Sequence, residues 1–378
     1  MMNIDRSLIA ALPKFLTWTA GIDLLQTACN IYVRWSYDRL RTWSEFADTN
    51  LFDVVRALPK QNQQRLLLAP RSFNLLLSSS EPGPEEVGKL KKLIGMEQHL
   101  CRQGSEFQRN DWSALGDYYL PPDMETGDRL DDGLLTAWSP RQSFNAPALG
   151  HIVLDAYSPY PDTPYPADVG EVTTITKEEV AIATKRLEQS LNYIRSISRV
   201  AASTIAESVQ VVTLARAPNS SEATVALSQR TTIGRVGMLN LHSDRWTVHK
   251  TSNSLVHEAI HSLIYKLELA CDLYTDNAGP WRIKVVSPWT GRTLFVHSFV
   301  HACFVWFGLW KFWSLADGAD QSVHKFMEKA RSGFLPGSPL TGISEEAFAC
   351  IQPDVRLAIE EMRQQVIAQD EKQAENGE

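Results

Sequence analysis

Cysteine is scarce and never paired. The five in 378 residues, Cys29, Cys101, Cys271, Cys303 and Cys350, are odd in number and none belongs to a CxxC pair. This argues against a disulfide framework and against a thiolate metal centre, and it leads us to expect a reducing, cytoplasmic setting. No Lys/Arg-rich block occurs either. With 37 basic and 44 acidic residues the formal net charge is −7, so a nucleic-acid partner is not expected. Long hydrophobic runs are also missing. Met1 to Gly21 mixes Asp5, Arg6, Pro13 and Lys14 among its apolar residues and lacks the form of a signal peptide. The most apolar stretch, Phe295 to Trp310, carries His297 and His301 and is too short to span a bilayer, so it reads as a buried helix and no membrane partner is expected. Internal repeats and low-complexity segments are absent from the sequence as well.

The length suffices for two domains or one large domain with a sizeable core. Residues 1–137 read as a helical N-terminal part: Leu8 to Trp18, Asp23 to Trp43, Leu51 to Leu58, Gln61 to Leu68, Phe73 to Leu77 and Glu85 to Glu106 all place apolar residues three and four apart. Near Trp138 the texture changes. Pro140, Pro147, Pro159, Pro161, Pro164 and Pro166 punctuate a polar stretch around one strand candidate, Gly150 to Ala156, and the Pro-Tyr-Pro-Asp-Thr-Pro-Tyr-Pro run is a connection or a lid. Residues 138–378 would then form the catalytic domain. A helix is expected over Thr176 to Ile205, strands over Val209 to Ala215, Ala223 to Leu227, Gly234 to Leu241 and Arg282 to Val286, and an apolar helix from Leu294 to Trp313. The expected fold is α+β, predominantly helical, with a small mixed sheet next to a helix that bears two histidines.

That helix carries Ser254-Leu-Val-His257-Glu258-Ala-Ile-His261-Ser-Leu-Ile-Tyr-Lys-Leu-Glu268. Residues at i and i+4 lie about 40° apart around a helix axis, so His257 and His261 can bind one metal ion, with Glu258 beside the first. Thr251 to Ser254 offer N-caps, and Leu255, Val256, Ala259, Ile260, Leu263, Ile264 and Leu267 give a wide apolar face. Imidazoles in such a setting need hydrogen bonds or a metal.

HExxH names a metal-binding helix and leaves the reaction open. Its usual reading is a zinc peptidase, with Glu258 as general base on a zinc-bound water. The metzincin continuation fails, because Ile264 and Leu267 stand where Gly and His are needed. No carboxylate is expected on a later helix nearby, since Asp272 and Asp276 sit at a turn. The chain supplies instead a second imidazole pair, His297 and His301, again four apart. A site of three imidazoles, or of four, is the simplest solution, and imidazole suits zinc, copper, iron or nickel.

The segment Leu255-Val-His-Glu-Ala-Ile-His-Ser-Leu-Ile-Tyr, then Ser287-Pro-Trp, then His301-Ala-Cys-Phe-Val-Trp, resembles the α-ketoglutarate-dependent HExxH-type peptide β-hydroxylases of ribosomal peptide natural-product pathways. The likeness runs from Gly234 to Trp306, with an echo at Leu58 to Pro70 in the helical front part of that family. It implies Fe(II) held by His257, His261 and His301, α-ketoglutarate and O2 as cosubstrates, and hydroxylation of an unactivated carbon in a peptide, such as a ribosomal precursor peptide. It also turns Glu258 from general base into a residue that orients a ligand or water. α-Ketoglutarate is a dianion, and a bidentate arginine suits its distal carboxylate. Arg292 is the first candidate, with Arg282 and Arg235 behind it. His297 would support His301, and Trp281, Trp289, Trp306, His242 and His249 are candidates for a substrate cleft or, for the aromatics, for core.

Overall fold

Apolar residues three and four apart build most of this molecule. The computed structural model describes residues 7–102, 111–120, 144–146, 148–158, 165, 169–316 and 320–375. The front of the chain forms α1 (Ser7–Phe15), α2 (Ile22–Phe46), α3 (Leu51–Arg56), α4 (Lys60–Leu68), α5 (Pro70–Ser78) and α6 (Pro84–Arg102). Short strands β1 (Asp111–Trp112), β2 (Tyr118–Leu120), β3 (Phe144–Asn145), β4 (Ala148–Leu149) and β5 (Ile152–Asp155) come next. They lead into α7 (Lys177–Ile197), α8 (Arg199–Ser208), β6 (Val211–Ala215), β7 (Val225–Ser228), β8 (Arg235–Leu239) and α9 (Val248–Leu267). Beyond α9 lie β9 (Lys284–Val286), β10 (Thr293–Phe295), α10 (Val296–Ser314), α11 (Gln321–Arg331), α12 (Glu345–Cys350) and α13 (Pro353–Glu375). The fold is α+β and mostly helical, with a small mixed sheet, as the sequence implied. No helix among the described residues is long and apolar enough to cross a membrane.

Two compact units interleave along the chain. One gathers Met1–Ile31, Leu191–Ile205 and Ser252–Glu378; the other gathers Tyr32–Ser190 and Ala206–Thr251. The expected boundary at 137/138, and the Pro-Tyr-Pro run apart from Tyr165, lie outside the described residues.

In the second unit the five-stranded sheet runs β4-β5-β6-β8-β7. Its three central strands are parallel, with Val153 opposite Val211 and Val211 opposite Arg235, and its edge strands are antiparallel. The central strands β6 and β8 are buried almost throughout, as continuous β-branched and apolar runs require. Leu66, Leu67, Leu90, Leu93 and Ile94 of α4 and α6 share a core with Val153 and Val211. The segment Leu58 to Pro70 contributes to a polar network here. Asn62 and Arg65 both donate to Glu97, at 3.0 and 3.2 Å, while Arg65 also clasps Asp117 with both terminal nitrogens, at 2.8 and 2.9 Å.

In the first unit α9 and α10 form the centre. Leu255, Val256, Ala259, Ile260, Leu263, Ile264 and Leu267 are buried on α9, and Phe299, Val300, Cys303, Phe304, Phe307 and Phe312 on α10. Helix α1 packs on α10 and α13, and α11 packs on α10. At Gly308 a Cβ would sit 2.7 Å from Ile260 Cδ1, so glycine is what lets the two central helices approach this closely.

Some boundaries differ from those expected. The single helix over Thr176 to Ile205 is two, broken at Ser198, whose hydroxyl accepts from the Ala201 N–H and donates to the Trp18 carbonyl. The HExxH helix begins at Val248 rather than among Thr251 to Ser254, because Thr247 Oγ1 accepts from the Lys250 N–H and starts it earlier.

Candidate metal centre

Four side chains make a stripe on α9. His257, His261, Tyr265 and Glu268 stand at i, i+4, i+8 and i+11, which at 100° per residue confines them to an arc of about 80°. Glu268 lies just past the last residue of α9, yet its N–H still donates to the Ile264 carbonyl, so it continues the helical register. Helix α10 lies antiparallel to this stripe. Trp313 Nε1 donates to Asn253 Oδ1 near one end (2.9 Å), the Trp306 ring meets His257 edge-on (6.3 Å between centroids), and His301 stacks on His261 (5.3 Å). At the other end His297 lies parallel to Tyr265 and reaches Glu268.

The polar atoms form an unbroken row. His257 Nε2 is 3.2 Å from His261 Nε2, and the other ring nitrogen of His261, Nδ1, is 3.1 Å from His301 Nδ1. His301 Nε2 is 3.4 Å from Glu268 Oε1, and His297 Nε2 is 3.0 Å from the same oxygen. The His301 side chain is 1% exposed and that of Glu268 7%. Burial alone would raise the Glu268 carboxyl, but the charge of His301, hydrogen bonds from His297 and His301, and the charge of His297 bring it down to about 2. Loss of water around the His261 ring, and then the nearness of His257, His301 and His297, push its pKa well below the ordinary imidazole value. Neutral imidazole is the form that binds metal.

These residues fit an ion in two groupings. Nitrogens bound to one ion at about 2.0–2.1 Å each stand about 3.0–3.4 Å apart, depending on geometry. The His257–His261 separation of 3.2 Å matches that. Ligand atoms of Glu268, His297 and His301 also lie within 4.8 Å of one another and could hold an ion. His301 faces both groups. No protein-family model matches this chain, and no curated protein does.

Of the expected site residues, His257, His261 and His301 come together, although His301 approaches the ring edge of His261 opposite the one that faces His257. Glu258 is buried, with Oε1 3.9 Å from His257 Nε2. His297 is buried beside His301, with Trp281 stacked on it at 4.0 Å and the Tyr274 hydroxyl donating to its carbonyl. Trp281 is 42% exposed, whereas Trp289 is buried and stacks on Trp306, linking the Ser287-Pro-Trp segment to His257. His242 pairs with Glu179 within the second unit. Arg292 is exposed on the β9–β10 hairpin, where its N–H donates to Thr290 Oγ1; Arg282 is exposed beside Trp281; Arg235 is buried in the second unit, near Asp155.

Glu268 is the residue that sequence reasoning missed. The expectation concerned carboxylates on later helices, whereas Glu268, at the end of the HExxH helix itself, is the carboxylate that contacts both His297 and His301. Its position seven residues after His261, two turns along the same face, was the available signal. A search confined to later helices passes over it.

Proposed function

We propose that this protein is an Fe(II)- and α-ketoglutarate-dependent hydroxylase that oxidises an unactivated β-carbon of a peptide or peptide-like substrate, a ribosomal precursor peptide among the candidates. What supports a metal centre is the gathering of His257 and His261 from α9 with His301 from α10, at 3.2 and 3.1 Å from neighbour to neighbour; because His257 and His301 meet opposite edges of the His261 ring, one ion held by all three requires that ring to turn. Imidazole is a suitable ligand for Fe(II) and for zinc, and zinc binds a given site more tightly, so the choice of iron, of α-ketoglutarate and of O2 comes from the resemblance of the HExxH and Ser-Pro-Trp segments to the peptide β-hydroxylases. When bound, iron with α-ketoglutarate and O2 supplies the oxidising power to insert one oxygen into a C–H bond, releasing succinate and CO2.

The chain's own residues do the holding and shielding. His257, His261 and His301 would hold the ion, and Glu258, buried against His257, would orient that ring or a water. Val256, Ile260 and Val300, each next in sequence to one of these histidines, are buried. Trp281 and Tyr274 flank His297, and the exposed Trp281 face is a surface on which a peptide can lie. The exposed setting of Arg292 lends no support to it as the α-ketoglutarate anchor, so that assignment rests on the chemistry of a dianion and on the place of Arg292 ahead of the His301 helix in sequence.

A zinc hydrolase is the second reading, in which Glu258, buried with Oε1 3.9 Å from His257 Nε2, would act as general base on a zinc-bound water. The test is to incubate Fe(II)-loaded protein with α-ketoglutarate, O2 and a peptide library, and to measure succinate and peptide mass. Succinate with a gain of one oxygen supports the hydroxylase. Peptide cleavage by the zinc form, without any need for O2, supports the hydrolase.

A further inference from the structure

Histidines four apart on a helix occur twice in this chain. His297 and His301 on α10 repeat the spacing of His257 and His261 on α9, and the Glu268 carboxylate stands against the α10 pair. Glu268 Oε1 is 3.0 Å from His297 Nε2 and 3.4 Å from His301 Nε2, and donor atoms of all three residues lie within 4.8 Å of one another. Donors on one ion at about 2.0–2.2 Å stand about 3.0–3.4 Å apart, so two of the three edges already match. Both rings direct Nε2 at the same oxygen. Neither has to turn over to take up an ion here, whereas an ion on His257, His261 and His301 requires the His261 ring to turn.

The surroundings hold this cluster in place and away from water. The side chains of Glu268, His297 and His301 are 7%, 5% and 1% exposed. Burying such a set costs free energy unless its members bind one another or a metal. Tyr265 lies against both rings, with centroids 6.1 and 4.8 Å away, and Trp281 stacks on His297 at 4.0 Å. The Tyr274 hydroxyl donates to the His297 carbonyl. All six residues belong to the first unit.

We infer that Glu268, His297 and His301 form a second metal site, which takes a divalent transition-metal ion through one carboxylate and two imidazoles. This donor set suits zinc and, with positions left open, non-haem iron. On binding, the ion replaces the hydrogens that the two Nε2 atoms share with the carboxylate. His301 turns Nδ1 to His261 and Nε2 to Glu268, so it is the ligand for which the two sites compete: an ion at Glu268 leaves the HExxH ion with His257 and His261. The inference goes beyond the proposed function and does not rest on it.

The test uses the full chain, stripped of metal by a chelator and given Zn(II) alone. The His257→Ala/His261→Ala variant lacks the HExxH pair and should still bind one Zn(II) per chain. Adding Glu268→Gln to it should weaken that ion beyond about 100-fold, more than loss of a supporting group does. A double variant that binds no Zn(II), where the wild type binds it, overturns the inference and leaves the HExxH centre in place; unchanged affinity on adding Glu268→Gln overturns it too. Anomalous diffraction at the zinc edge, from crystals of wild-type protein loaded with two equivalents, decides the question even if the variants do not fold. The expected result is a peak bounded by Glu268, His297 and His301. Zinc only at His257 and His261 overturns the inference, while zinc only at Glu268 upholds it and removes the three-imidazole centre. A wild-type protein that binds no zinc at all overturns both.

Discussion

The Nδ1 atoms of His261 and His301 stand 3.1 Å apart across the seam between α9 and α10, and they are the point at which the HExxH motif meets the second imidazole pair. His301 has an imidazole at one ring nitrogen and a carboxylate at the other, which serves a metal ligand and a structural histidine alike, so its role is decided by metal binding. Replacing it by Ala should lower metal affinity more than loss of a supporting group does, beyond about 100-fold. Competition with a chromophoric chelator measures this. Affinity within a few-fold of the wild type would remove His301 from the ligand set.

Glu258 separates the two readings of the site. As a general base its loss would cost about 10²–10⁴ in rate, whereas a residue that only orients His257 or a water has no proton to move. In the hydroxylase, Glu258→Gln should keep the metal and retain succinate formation within about tenfold of wild type. A zinc-dependent peptide cleavage that vanishes in this variant would favour the hydrolase.

Packing behind the site makes its own demand. A Cβ on Gly333 would lie 2.3 Å from the Trp289 ring, which donates to the Ala330 carbonyl and stacks on Trp306, itself edge-on to His257. Gly333→Ala must displace a buried indole, and overpacking of this kind costs about 1–3 kcal/mol. Urea denaturation should show that loss. Unaltered stability would mean that the indole moves aside freely.

The network in the second unit gives a pH dependence of definite sign. Burial raises the Glu97 carboxyl, and the charge of Arg65 and hydrogen bonds from Asn62 and Arg65 only partly oppose this; Asp117 adds to the rise. A carboxyl whose folded pKa lies above its unfolded value gives stability that is fully present below the unfolded pKa and lost as pH rises through the folded one. Wild-type stability relative to Glu97→Gln should therefore fall between acidic and neutral pH. Parallel urea unfolding of the two proteins at several pH values checks the slope. A difference that grows in favour of wild type with rising pH would contradict it.

Much of this was legible in the sequence, for physical reasons. Continuous apolar runs such as Val211–Ala215 and the three- and four-residue spacing of Leu255 to Leu267 are set by local periodicity, and both elements formed where expected. Helix ends were less legible: Thr247 starts α9 a turn early and Ser198 splits α7 from α8 through side-chain hydrogen bonds that periodicity does not register. The assembly of each unit from segments far apart in the chain has no local signature. Glu268 was hidden differently. It lies on the motif's own helix, where its proximity to His297 and His301 depends on how α10 crosses α9, and only the fold supplies that crossing.

The central claim is that this seam holds iron in a form that engages α-ketoglutarate. The most direct measurement is an anaerobic titration of Fe(II)-loaded protein with α-ketoglutarate, monitored by visible absorption and then by succinate after O2 is admitted. The account expects a weak charge-transfer band that saturates at one α-ketoglutarate per iron, and succinate on oxygenation. A fully iron-loaded protein that shows neither the band nor succinate would contradict it.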